Sequence, residues 1–110
     1  MQAALLTDFE LMILLAVLRL DDRAYGVQIA REIEATAGRI VRLGAAYTAL
    51  DRLERNGLTA STVGLPTQER GGRAKKVFRV TARGLRAIKT TQQALEALWH
   101  DVPQLKARLT

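Results

Sequence analysis

The run Glu69-Arg70-Gly71-Gly72-Arg73-Ala74-Lys75-Lys76 sets four cations around a pair of glycines. Fixed positive charge binds phosphate, and glycine, which lacks a Cβ, lets a backbone come close to a surface. A solvated loop could carry the same charges. Gly71-Gly72 between Arg70 and Arg73 makes nucleic-acid contact the better reading, with Lys75 beside them. The G-x-x-x-x-G-K-[ST] spacing of a nucleotide-binding loop is absent, so this chemistry is binding and not phosphoryl transfer.

Covalent chemistry has little to work with. The chain has no cysteine and one histidine, His100, with no second ligand at metal-binding spacing. Thiol chemistry is excluded and a histidine-based triad has almost nothing to build on. No paired carboxylates and no nucleophile with an adjacent base stand out, so no catalytic residue, metal ligand or cofactor is assigned, and the chain is not expected to be an enzyme. The lack of cysteine suits a reducing cytoplasm. The longest apolar run, Leu11 to Leu18, is too short to span a bilayer. Met1-Gln2-Ala3-Ala4-Leu5-Leu6 has no basic n-region, so a cytoplasmic protein with no membrane partner is expected.

Charge is distributed unevenly over the 110 residues. The net +6 divides into −3 over residues 1–38, +8 over 39–86 and +1 over 87–110. Excess positive charge confined to one stretch points to a polyanionic partner.

The elements that must position these cations follow from caps and periodicity. Thr7-Asp8-Phe9-Glu10 fits a capping box, which predicts a helix over Asp8–Leu20. Its middle is apolar almost all round, more than one core requires, so a second buried face against another subunit is expected. Asp21-Asp22-Arg23 reads as a turn. Tyr25-Gly26 opens a second helix with Val27, Ile29, Ala30, Ile33 and Ala37 inward, and Gly38 stops it. Ile40-Val41-Arg42 is β-prone. Leu43-Gly44 then begins a third helix to about Asn56, stopped by Gly57. Leu43, Tyr47, Leu50 and Leu53 or Glu54 fall on one face, expected to meet the core. Ala45, Thr48, Ala49, Arg52 and Arg55 are expected to face out, small at the front and cationic beyond.

Leu58–Thr62 and Lys75–Thr81 read as two strands joined by a long loop, a wing. Thr81 is expected to cap a last helix in which Leu85, Ile88, Gln92, Leu95 and Trp99 recur at spacings of three and four. With Leu11 and Leu14 of the first helix they are expected to form a dimer seam. Pro103 ends or bends this segment, and the tail is expected to fray. The order predicts an α+β, mainly helical chain. Residues 1–81 would form a winged helix-turn-helix DNA-binding domain, and 82–110 a C-terminal dimerisation helix and tail.

Over about Leu6 to Trp99 the chain resembles the PadR family of bacterial transcriptional regulators. Four groups of residues carry the resemblance. They are Tyr25-Gly26, Leu43-Gly44-Ala45-Ala46-Tyr47-Thr48-Ala49-Leu50-Asp51-Arg52-Leu53-Glu54 with Gly57-Leu58, Glu69-Arg70-Gly71-Gly72-Arg73, and Phe78-Arg79-Val80-Thr81 with Gly84. Each alone is weak, but in this order and spacing they are specific. The resemblance implies a dimeric repressor whose third helix enters the major groove and whose wing reaches phosphates or the minor groove. It also implies the short branch of the family, with a single C-terminal helix. Some members respond to small aromatic ligands, so such an effector is a candidate partner, although no pocket is legible and Trp99 reads first as interface filler. The Tyr47 hydroxyl would reach a DNA phosphate, against a default role in packing. Tyr25 reads the same way, with the structural role favoured.

The leading reading is therefore a homodimer that binds double-stranded DNA at a pseudo-palindromic operator, with half-sites about 34 Å apart. Tyr25, Gln28, Ala45, Tyr47, Thr48, Arg52, Arg70, Gly71, Gly72, Arg73 and Lys75 are its candidate DNA-binding residues. The alternative is a winged-helix interaction module for an acidic protein partner. Such a module would expose apolar or aromatic anchors where this sequence has Ala45, Thr48 and Ala49. RNA binding ranks third, because only five aromatic side chains are present and most are claimed by the core or seam.

Overall fold

The first helix, α1 (Asp8–Leu20), starts at the signal in the sequence. The Glu10 N–H donates to Thr7 Oγ1 at 3.2 Å and the Thr7 N–H donates to Glu10 Oε1 at 2.8 Å, so both halves of the capping box form. One 3₁₀ turn, Asp21–Arg23, leads to α2 (Gly26–Ala37). Gly38 stops α2 in the left-handed region at φ 73°, and its N–H donates to the Glu34 carbonyl at 3.1 Å. Helix α3 (Leu43–Arg55), strands β1 (Thr59–Val63) and β2 (Lys76–Val80), and helices α4 (Ala82–Trp99) and α5 (Pro103–Lys106) follow. The computed structural model describes residues 5–64 and 75–106. Arg70, Gly71, Gly72 and Arg73, the expected tip of the wing, lie outside the described residues.

The element order is that of a winged helix. Strands β1 and β2 pair antiparallel, with Thr59 opposite Val80 and Val63 opposite Lys76. A bridge from Tyr25 to Val77 adds the start of α2 to the hairpin, and the Phe78 N–H donates to the Ala24 carbonyl at 2.9 Å. The helix-turn-helix and the root of the wing are therefore tied through the backbone. Ile13, Leu14 and Val17 of α1, Ile29 and Ile33 of α2, Leu50 and Leu53 of α3, Phe78 of β2 and Ile88 of α4 meet in one core.

The front of α4 is bound closely to the hairpin. Thr81 Oγ1 accepts the Gly84 N–H at 3.0 Å and donates to the Gly57 carbonyl at 2.7 Å. Gly57 has φ 76°, a conformation other residues rarely adopt. A Cβ on Gly84 would overlap the Leu58 carbonyl oxygen and Val80 Cγ1, so only glycine fits where α4 crosses the sheet. Beyond this point α4 buries only Ile88 and Thr91, and Thr91 Oγ1 accepts the Leu6 N–H at 3.0 Å.

Several expectations are corrected. Ile40-Val41-Arg42 forms no strand, because the chain there turns between two helices and pairs with no β-strand. Both strands start one residue later than the β-prone stretches, β1 running one residue further and β2 ending one residue sooner, and Ala37 is exposed. Part of the expected frayed tail is the short helix α5. Leu14, expected on the dimer seam, is 0 % exposed and sits in the chain's own core, as does Ile88. In a helix apolar all round, periodicity could not separate Leu14 from Leu15, and it is Leu15 and Leu18 that face out.

Candidate nucleic-acid interface

The turn before α3 is pinned from two sides. The Val41 side chain is buried and its N–H donates to Glu34 Oε2 at 3.0 Å. Arg39 reaches back to α1, donating to Asp8 Oδ2 at 3.3 Å with its guanidinium 4.7 Å from the Phe9 ring centroid. These contacts fix the entry of α3 against both preceding helices. At the other end the Ser61 hydroxyl donates to Glu54 Oε2 at 3.1 Å and joins α3 to β1.

Helix α3 buries Ala46, Ala49, Leu50 and Leu53. The two alanines let it approach α1 and α2 closely, and this rotates the helix relative to the sequence expectation. Ala49 moves from the outer face to the core. Leu43 and Tyr47, expected inward, become 41 % and 43 % exposed. The outer face carries Gly44, Ala45, Thr48, Asp51, Arg52 and Arg55. A Cβ on Gly44 would meet nothing within 4 Å, so the front of this face is open. Among the described residues, Arg42, Arg52 and Arg55 enter no ion pair. A small, neutral front followed by unpaired cations suits a duplex groove bordered by phosphates.

Tyr47 is placed by α2. A Cβ on Gly26 would lie 2.5 Å from Cε1, Cζ and Oη of Tyr47, so the phenol rests on bare glycine backbone at the start of α2. The cap residue Tyr25 makes no side-chain capping bond. The Tyr47 hydroxyl therefore lies at the start of α2, whose first N–H groups have no side-chain cap, and Gln28 in the first turn of α2 is exposed. Tyr25 is half-buried, and Lys75 Nζ lies 5.4 Å from its ring centroid. The Lys75 carbonyl accepts the Gly64 N–H at 2.6 Å and closes the base of the wing. Of the expected DNA-binding residues, Tyr25, Gln28, Ala45, Tyr47, Thr48, Arg52 and Lys75 have surface available. Sequence reasoning missed Glu34 and Arg39, whose partners lie on other segments, and the exposed Arg79 of β2.

A second surface runs along α1 and α4. Leu11, Leu15, Ile88, Gln92, Leu95, Glu96 and Trp99 line a mostly apolar hollow of about 450 Å³. Trp99 is 65 % exposed, and Leu98 beside it, missed in the sequence, is more so. Leu85 is also exposed, and the Gln92 side-chain amide donates to Glu96 Oε2 at 3.2 Å. A further apolar hollow of about 420 Å³ lies between α1 and α2, with Met12, Leu15, Leu18 and Ile33 in its walls. Among the described residues, no helix is long and apolar enough to cross a membrane.

Solved structures share this fold. A PadR-like transcription factor from Bacteroides fragilis is 24% identical with a TM-score of 0.70, over 88% of each chain. A PadR-like transcriptional regulator from Bacillus cereus is 19% identical with a TM-score of 0.67, over 91% of this chain and 93% of that one. A PadR family transcriptional regulator from Eggerthella lenta is 26% identical with a TM-score of 0.66, over 86% of this chain and 80% of that one. No curated protein matches the sequence. The model of the transcriptional regulator PadR-like family matches residues 14–90, from within α1, through the helix-turn-helix and hairpin, to the middle of α4. By that match and by its winged-helix architecture, the chain belongs to the PadR-like family of transcriptional regulators.

Proposed function

We propose that the chain binds duplex DNA as a twofold dimer at a pseudo-palindromic operator, acts as a repressor, and responds to a small aromatic ligand. The observation that carries the reading is the outer face of α3, open at Gly44, Ala45 and Thr48 and cationic at Arg52 and Arg55. Ala45 and Thr48 meet base edges, and Arg52 meets an adjacent phosphate. Tyr47, Gln28 and the uncapped start of α2 take the phosphate backbone on one side of the groove. Lys75, with Arg70 and Arg73 of the wing around Gly71-Gly72, takes it on the other.

Residues 1–81 form the DNA-binding unit and 82–110 the dimerisation segment. Exposed Leu15, Leu85, Leu95 and Trp99, with Leu11 and Gln92, supply a seam of large apolar side chains along α1 and α4. A second copy covers it. The hollow beside Trp99 has the volume and apolar walls of a small-ligand site, and family resemblance supplies the aromatic class and the repressor role.

Selection of bound fragments from a random duplex pool tests this reading. The expected product is an inverted repeat with half-sites about 34 Å apart. A direct repeat or a single unrepeated site argues against the twofold dimer. Trp99 is the one tryptophan, so its emission should shift to the red on dilution as the seam opens.

A further inference from the structure

Two large aliphatic side chains at the front of α3 have no role inside the chain. Ile40, on the turn before the helix, is 86 % exposed, and Leu43 opens the helix at its exposed edge. Their neighbours impose this. Val41 is turned into the core and its N–H is held by Glu34, leaving Ile40 outward. Ala46 and Leu50 take the buried stripe of α3, leaving Leu43 on its border beside Tyr47, one turn on.

The surroundings indicate what covers them. Arg42 lies between the two in sequence, and among the described residues it enters no ion pair, so this edge attracts a polyanion. Gly44 and Ala45 follow, small and open. Two aliphatic groups bracketing an arginine are too small a patch for the desolvated centre of a protein interface. The floor of the major groove, by contrast, offers one apolar group, the 5-methyl of thymine. We infer that Ile40 and Leu43 together read a thymine methyl in the major groove, making them specificity-determining residues at the start of α3. The inference rests on the proposed binding of duplex by α3 and adds the base and the group recognised.

The test uses a duplex selected by the wild-type chain from a random pool, with each thymine replaced singly by deoxyuridine, which removes only the methyl. One thymine per half-site should lose about fourfold in affinity, the worth of one buried carbon, while the others change little. Ile40→Ala, at a position too exposed to disturb folding, should narrow that difference, and Ile40→Ala/Leu43→Ala should bind thymine and deoxyuridine duplexes equally. Wild-type protein that binds its duplex but tolerates every deoxyuridine overturns the methyl reading and leaves duplex binding standing. Undiminished sensitivity in the double variant overturns the assignment to Ile40 and Leu43. Failure to select any duplex overturns both readings.

Discussion

The Tyr47 ring of α3 lies directly on the backbone of Gly26 at the start of α2, with no room between them for a methyl group. Gly26→Ala therefore displaces the phenol. The ring is half-exposed and can swing, and alanine suits a helix better than glycine, so the thermal midpoint should change little. Duplex affinity should fall by on the order of tenfold, as one charge-assisted bond to phosphate is lost. Tyr47→Ala should cost about the same, and the double variant no more than either alone. Additive losses would separate Gly26 from the placement of Tyr47.

Lys75 sits at the root of the wing with its ammonium over the Tyr25 ring. Lys75→Ala should lower the slope of log affinity against log salt by about 0.9, the signature of one lost phosphate contact. Tyr25→Leu should weaken binding roughly two- to fivefold, within the range of an exposed cation–π contact, and should have no further effect once Lys75 is alanine. Tyr25→Phe should behave as wild type. An unchanged salt slope in Lys75→Ala would remove this residue from the interface.

Gly84 lies where α4 crosses the hairpin, against Leu58 and Val80. The Leu58 carbonyl is backbone and cannot swing aside. Gly84→Ala should destabilise the fold by roughly 1–3 kcal/mol through overpacking, read as a lower urea midpoint. Wild-type stability would contradict the packing described for α4.

Glu32 accepts from Arg19 Nε at 2.7 Å and from the Thr36 hydroxyl at 2.8 Å. The Arg19 guanidinium first, and then Thr36, hold its carboxyl below the ordinary value of 4.5. The charged form is favoured in the folded chain, so the stabilisation is present above that value and is lost as pH falls through the lowered one. Wild type should be more stable than Glu32→Gln at about pH 7, and the two should converge as pH falls through the lowered value. The pair is exposed at Arg19, so added salt should shrink the difference. A difference independent of pH would assign the effect to packing.

The parts of this molecule legible in the sequence are those fixed by local chemistry. The Thr7–Glu10 box, the left-handed stop at Gly38 and the Thr81 cap each depend on residues a few positions apart. The rotation of α3 does not. Leu43 and Tyr47 outweigh Ala46 and Ala49 in any hydrophobic pattern, yet the alanines are buried because α3 packs closely on α1 and α2. The Glu34 anchor for Val41 and the Arg39 clamp on Phe9 join segments that no spacing connects. In α1, a run apolar on every side left Leu14 and Leu15 indistinguishable until the core was placed. The cations of the candidate site were legible by type and location, whereas the support of Lys75 by Tyr25 depends on tertiary approach.

The central claim, that the outer face of α3 reads duplex sequence, is tested most directly by equilibrium titration of the purified chain with its selected duplex and with a scrambled duplex of equal length, over a range of salt. The account predicts at least about a thousandfold preference for the selected duplex, reduced by Thr48→Ala at particular base pairs and not across all sequences. Equal and steeply salt-dependent affinity for both duplexes would contradict it, leaving a basic surface that binds polyanions without reading them.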